Sequence, residues 1–143
     1  MLIAHVLRDK GSDVFTLMAD ATLEAACAEL HAKRVGALVV LDGDAALYGV
    51  LSERDLVREV ARRGVAALTQ TVGSAMTRDV ITASPDETID ECLARMTDRR
   101  VRHLPVLQDG RLIGLVSIGD LVKHRIASVE AEAAAMQAYI SAR

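Results

Sequence analysis

Gly49-Val50-Leu51-Ser52-Glu53-Arg54-Asp55 and Gly114-Leu115-Val116-Ser117-Ile118-Gly119-Asp120 each carry a short apolar run into a Ser-x-x-Asp, and the two serines lie 65 positions apart. A hydroxyl followed three residues later by a carboxylate, directly after an apolar segment, marks a strand that ends at the capped start of a helix. Finding it twice, each time with Gly three residues before the Ser, makes it a repeated structural event. A glycine lacks a Cβ and lets another group approach the strand closely.

The repeat extends outward from these stretches. A shift of 66 positions superposes Val14, Thr16, Thr22, Leu23, Glu24, Ala28, Leu30, Arg34 and Val35 on Val80, Thr82, Thr88, Ile89, Asp90, Ala94, Met96, Arg100 and Val101. The offset drops by one because Leu41-Asp42-Gly43-Asp44-Ala45-Ala46 is one residue longer than Leu107-Gln108-Asp109-Gly110-Arg111, and a surface turn tolerates such a change. Each half reads as extended segment, helix, strand, tight turn, strand, helix. Halves of roughly 65 residues are marginal by themselves, so the expectation is one pseudo-symmetric domain built from both.

The second half is the clearer. Val80-Ile81-Thr82 is extended, and Ser84-Pro85-Asp86-Glu87 is expected to open a helix, with a cap, Pro at the first position and an acid three residues after the cap. Ile89, Cys92, Leu93 and Met96 then form an apolar helical stripe. Leu104 to Leu107 and Leu112 to Val116 flank Asp109-Gly110, a type I′ hairpin signal, and Pro105 should sit at a strand start or an edge. The first half repeats this with Leu23, Ala26 and Leu30, then Ala37 to Leu41 and Leu47 to Leu51. Between the halves, Leu56 to Arg63 reads as a helix ended by Gly64, and Thr71 to Met76 as a connector. In the tail, Val122, Ile126, Val129, Ala133, Met136 and Ile140 form an a/d seam too short for a free coiled coil. That seam is expected to pack on the same helix of a second chain, with its own domain as the alternative.

At 143 residues and 51% hydrophobic content the chain can bury a sizeable core. Seventeen basic against 20 acidic residues give a net charge of -3, which offers no global attraction to nucleic acid or anionic lipid. Phe15, Tyr48 and Tyr139 are too few to build a base-stacking platform. The opening Met1 to Leu7 run is interrupted by Arg8, Asp9 and Lys10 before it reaches signal-peptide length, and no apolar run approaches a bilayer span, so a cytoplasmic protein without a membrane segment is expected. Cys27 and Cys92 have no ligand spacing and read as buried thiols rather than a metal site or disulfide. No paired catalytic constellation, phosphate loop or dinucleotide fingerprint is present, which argues against an enzyme.

The Ser-x-x-Asp pairs have two readings. In one they are capping boxes that only satisfy free backbone donors. In the other, a helix N-terminus and a Ser hydroxyl are available to a phosphate, while the carboxylate accepts the hydrogen bonds of a ribose diol.

The whole pattern, apolar-x-Thr, capped helix, Arg-Val-x-x-Leu-x-Val, hairpin and Gly-x-x-Ser-x-x-Asp, occurs twice over residues 2 to 124 and resembles a tandem pair of CBS domains, the Bateman module. Arg100-Val101-Arg102-His103-Leu104-Pro105-Val106 with Gly114 to Val122 is the more specific match, and Arg34-Val35-Gly36-Ala37-Leu38-Val39-Val40 with Gly49 to Asp55 the other. The resemblance implies an α/β (α+β) fold of two pseudo-symmetric β-α-β-β-α repeats, residues 8–64 and 73–124, with a C-terminal helical tail over 125–143. It implies a non-catalytic sensor binding AMP, ADP, ATP or a related adenosyl ligand (NAD or S-adenosylmethionine among them) in clefts between the repeats, with no required cofactor. It also implies a likeness to stand-alone bacterial members, pairing as a homodimer, and a regulated protein not identified by the sequence. Position by position, Asp120 would take ribose and Ser117 phosphate in one cleft, walled by Thr16 and the Val35-Gly36-Ala37 backbone, with Arg102 and His103 in reach of phosphate. Ser52, Arg54 and Asp55 would anchor the other, closed by Thr82, Val101, Arg102 and His103. Arg54 stands where the other half has Gly119, so the two sites are expected to be unequal. The competing expectation is a ligand-free dimerisation scaffold.

Overall fold

The computed structural model of the chain describes residues 1–11 and 13–142. In order the elements are α1 (Ile3–Lys10), β1 (Thr16–Met18), α2 (Leu23–Lys33), β2 (Ala37–Leu41), β3 (Leu47–Ser52), α3 (Glu53–Arg63), a 3-10 turn (Gly64–Thr69), α4 (Val72–Ala75), α5 (Ile89–Arg99), β4 (His103–Gln108), β5 (Arg111–Ser117) and α6 (Ile118–Ser141). They form an α/β fold of two repeats with a C-terminal helix. The chain divides into two compact units, one of residues 13–81 and one of residues 1–12 with 82–143.

In the contiguous unit, β1 runs parallel to β2, which pairs antiparallel with β3. Leu38, Val40 and Leu51 on the sheet pack with Leu23, Ala26 and Leu30 of α2 and with Leu56, Val72, Ala75 and Met76. Four of the five β2 residues are buried, so both faces of this strand are covered, as its uninterrupted apolar run requires. The Thr71–Met76 connector therefore contains a short helix that contributes Val72 and Ala75 to the core. Gly64 ends α3 at φ 68, a left-handed conformation that glycine adopts without steric cost.

The second unit is built on the β4–β5 hairpin, whose Asp109 and Gly110 have φ of 52° and 76°, the two positive values of a type I′ turn. The extended Val80–Thr82 segment contributes no full strand. It reaches the sheet only through Ala83, whose N–H donates to Pro105 and whose carbonyl accepts from Leu107. Pro105, which has no N–H to donate, thus faces the side of β4 where the partner is one residue long. Ile89, Cys92 and Met96 of α5 are buried with Leu104, Val106, Val116 and Leu121. Burial pushes the Cys92 thiol up to about 11.

Two features depart from the expectation. Ser84–Glu87 does not open a helix: it closes a turn in which Glu87 donates its N–H to the Ser84 carbonyl, and Thr88 caps α5 instead. The carbonyls of Pro85 and Glu87 are already engaged by the N–H groups of Ala4 and Ile3, so the turn serves as the docking point of α1. Glu87 pairs with Arg95, whose hydrogen bond, against the opposing effect of burial, holds the Glu87 carboxyl below its usual range. The second feature is α1 itself. Ile3, Val6 and Leu7 sit one turn apart and are all buried, in the unit of the second repeat and not in the repeat that follows them in sequence. In the tail, α6 runs without a break from the last helix of the second repeat through Ser141, and the final residue of the expected 125–143 segment lies outside the described residues. No helix among the described residues is long and apolar enough to cross a membrane.

Candidate functional site

At the end of β3, Ser52 keeps an extended backbone and caps α3. Its hydroxyl accepts the Asp55 N–H at 3.3 Å, while Asp55 Oδ2 accepts the Ser52 N–H at 2.9 Å and its hydroxyl at 3.1 Å. Arg58, one turn on, donates to Asp55 Oδ1 at 2.7 Å. The Glu53 N–H goes to the Gly36 carbonyl at 3.0 Å. Of the four donors that a helix start leaves unpaired, three are therefore taken here, and the Arg54 N–H remains. Asp55 is only 5% exposed, with both oxygens engaged.

The second repeat builds the same arrangement at the start of α6. Ser117 accepts the Asp120 N–H at 3.1 Å, Asp120 Oδ2 accepts the Ser117 N–H at 2.8 Å, and the Ile118 N–H goes to the Arg102 carbonyl at 2.8 Å. The donor left over is that of Gly119, whose missing side chain would meet nothing closer than Ser117 Oγ at 3.6 Å. His103 stands directly across the β4–β5 ladder from Ser117, where Ala37 stands across from Ser52 in the first unit. The partner of the carboxylate also differs. Lys10 Nζ lies 2.6 Å from Asp120 Oδ2 and 2.6 Å from the Leu115 carbonyl. Burial alone would raise the Asp120 carboxyl, but the hydrogen bonds from Lys10 and the Ser117 N–H outweigh it and hold the group below its ordinary value. The Asp120 side chain keeps 26% of its surface exposed, so the carboxylate is ionised, oriented and reachable.

The expected site residues fall in two sets. Thr16, Val35, Gly36, Ala37, Ser52, Arg54 and Asp55 lie in the contiguous unit, and Thr82, Val101, Arg102, His103, Ser117 and Asp120 in the other. Val35 and Gly36, with Glu53, His31 and Arg34, line an open depression of about 740 Å³ beside the start of α3. Arg34 ends α2 at φ 56, as Arg100 ends α5 at φ 55, so both repeats turn into their next strand through a left-handed residue. The Thr82 carbonyl already accepts one hydrogen bond, from Arg95 Nη1 at 2.9 Å.

The motif glycines are occupied from within the chain. A Cβ on Gly49 would fall 2.6 Å from Met76 Sδ and 2.8 Å from the Thr77 carbonyl oxygen, and one on Gly114 would fall 2.6 Å from Leu7 Cδ2. What approaches each strand is thus a segment of the same unit. The residue that the sequence gives no means of finding is Lys10: it lies 110 positions from Asp120 and carries no motif. Arg58 was also missed, and its i, i+3 spacing from Asp55 is the signal that could have found it. Among the described residues no cluster of His, Cys, Asp or Glu could hold a metal ion.

The family model described as CBS domain matches residues 7–62 and again 72–127. A solved CBS-domain containing protein from Agrobacterium tumefaciens is 44% identical and superposes with a TM-score of 0.84 over 87% of this chain and 92% of that one. The mitochondrial CBS domain-containing protein CBSX3 of Arabidopsis thaliana is 34% identical over 96% of this chain and 71% of its own length. Two longer CBS domain-containing proteins of the same plant, each 33% identical, are matched over only 20% of their length. A CBS domain pair solved in complex with 5′-methylthioadenosine and S-adenosyl-L-methionine shares the fold, with a TM-score of 0.79 at 23% identity and coverage of 90% of this chain and 98% of that one.

Proposed function

The chain belongs to the CBS-domain family as a tandem pair, and from that premise we propose that it is a non-catalytic regulatory module that takes an adenosyl ligand at Asp120 and Ser117. The observation that carries this reading is the partly exposed, ionised Asp120 carboxylate beside the unused Gly119 N–H. A carboxylate accepts the two hydrogen bonds of a ribose diol, and a helix-start N–H with no side chain in the way suits a phosphate oxygen. His103 and Arg102 belong to the same set, by their positions across from Ser117 and against Ile118. Buried and saturated, Asp55 is the weaker candidate, and Arg54 replaces the open glycine position, so the sites are unequal with Asp120 the stronger. The methylthioadenosine and S-adenosylmethionine complex of a protein of the same fold is consistent with a ligand of the adenosyl class, and AMP, ADP and ATP are its anionic members.

Thermal shift and calorimetry against AMP, ADP, ATP, NAD and S-adenosylmethionine test this. A ligand at 100 times its dissociation constant should add about 2.7 kcal/mol of stability. Asp120→Ala should weaken that ligand by roughly 10- to 100-fold, the loss of hydrogen bonds to a charged group, while Asp55→Ala should act mainly on stability. Flat melting curves throughout the panel would leave the scaffold reading, which the complete capping boxes at Ser52 and Ser117 favour.

The module is also proposed to pair with a second copy through α6. Val122, Ile126, Val129, Met136 and Ile140 recur along this helix, and all are 41% exposed or more. Such a continuous apolar seam gains by covering itself with its own kind. Truncation after Lys123 should convert a dimer to a monomer by light scattering at tens of micromolar, and a truncated chain that still dimerises would reject the role of the seam.

A further inference from the structure

Lys10 occupies the atom that a ribose would use. Asp120 Oδ2 accepts its ammonium at 2.6 Å and the Ser117 N–H at 2.8 Å, so both lone pairs of that oxygen are committed. A vicinal diol that engages both carboxylate oxygens must displace one of these donors. The Ser117 N–H is fixed by the capping geometry, whereas the lysine sits on a flexible four-carbon stem and is about a third exposed. The lysine is therefore the donor that yields.

We propose that Lys10 is a specificity-determining residue of the Asp120 site, selecting an adenosyl ligand that carries an anionic group over an uncharged one. The inference rests on the assignment of Asp120 to ribose. An ammonium displaced by an uncharged ligand loses its carboxylate and gains only water. Displaced by a ligand that bears a phosphate, it gains a charge-assisted partner in place of the one it gave up. The helix that carries it does not leave: Ile3, Val6 and Leu7 are buried, and Leu7 is seated on Gly114. The ammonium thus stays tethered within one side-chain length of the carboxylate. Nearby, Asp9 on the same helix lies 3.8 Å from His124, and Arg125 of α6 is paired with Asp90 at 3.2 Å. The first repeat has no equivalent, because Asp55 is held by Arg58 of its own helix.

Calorimetric titration with AMP and with uncharged 5′-methylthioadenosine reads the selection directly. Lys10→Met should lower the AMP-to-methylthioadenosine affinity ratio by about tenfold or more, the scale of one charge-assisted hydrogen bond, by weakening AMP and relieving competition for the thioadenosine. Lys10→Arg, which keeps the charge, should hold the ratio near that of the parent chain, and Lys10→Gln should behave as Lys10→Met, giving a second neutral variant if one is poorly folded. A ratio unchanged in both neutral variants overturns the inference. Asp120→Ala separates the two levels. If it binds both ligands as the parent does, the ribose assignment fails and the Lys10 selection falls with it. If it loses both while the neutral Lys10 variants keep the parent ratio, only the Lys10 selection is lost.

Discussion

A chain that begins at Gly11 should lose the second unit, although every residue removed precedes the contiguous unit of residues 13–81. Ile3 and Val6 are fully buried and Leu7 is 8% exposed, all in the unit formed with residues 82–143. At about 1.5–3 kcal/mol for each side chain buried, these three account for roughly 4.5–9 kcal/mol, comparable to the whole stability of a small domain. The deletion also removes the N–H groups of Ile3 and Ala4 from the carbonyls of Glu87 and Pro85, and the Met1 carbonyl from Ile89. Hydrogen exchange should show protection lost first in α5, β4 and β5, with β2 and β3 the last to open. Early loss in β1–β3 instead would contradict the assignment of α1 to the second unit.

The second large effect is expected at Gly49. The Cβ introduced by Gly49→Ala would lie 2.8 Å from the Thr77 carbonyl, and Thr77 is held by paired backbone hydrogen bonds with Val50 at 2.9 and 3.1 Å. Met76 can turn its thioether aside, but the carbonyl moves only if that bridge breaks. Overpacking of this kind costs about 1–3 kcal/mol, and the backbone partner puts Gly49→Ala at the upper end. Gly114→Ala is the internal comparison. There the obstacle is the end of the Leu7 side chain, which can rotate, so the cost should be nearer 1 kcal/mol. Urea unfolding of both variants decides the matter, and a Gly114→Ala loss equal to or larger than that of Gly49→Ala would refute the distinction.

Much of the fold could be read from local chemistry. The Asp109-Gly110 turn, the Ser52 cap, the buried stripe Leu23, Ala26 and Leu30, and the apolar run of β2 each follow from interactions spanning a few residues. The departures are of another kind. Ser84-Pro85-Asp86-Glu87 has the residues of a helix start, yet its carbonyls are taken by α1, some 80 positions earlier. Ile3, Val6 and Leu7 have helical spacing, but an eight-residue helix has no stability of its own and says nothing about which repeat it will join. At the site, residue types and positions in the Ser-x-x-Asp pairs were legible. The engagement of the Glu53 and Ile118 N–H groups by the Gly36 and Arg102 carbonyls, and the ammonium on Asp120, depend on contacts that no local pattern encodes.

The discontinuity of the second unit imposes an order on biosynthesis. At about 5–20 residues per second, Lys10 is added to the growing chain roughly 5 to 20 seconds before Asp120. During that interval residues 13–81 are complete and contiguous, with every member of their core already synthesised. The first repeat can therefore condense while Ile3, Val6 and Leu7 still have no groove to enter, since Gly114 and Leu121 arrive later. The α1 segment is translated before the first repeat and is among the last to reach its place. A nascent chain stalled between the repeats would expose those three side chains, a natural foothold for a chaperone that binds short apolar segments.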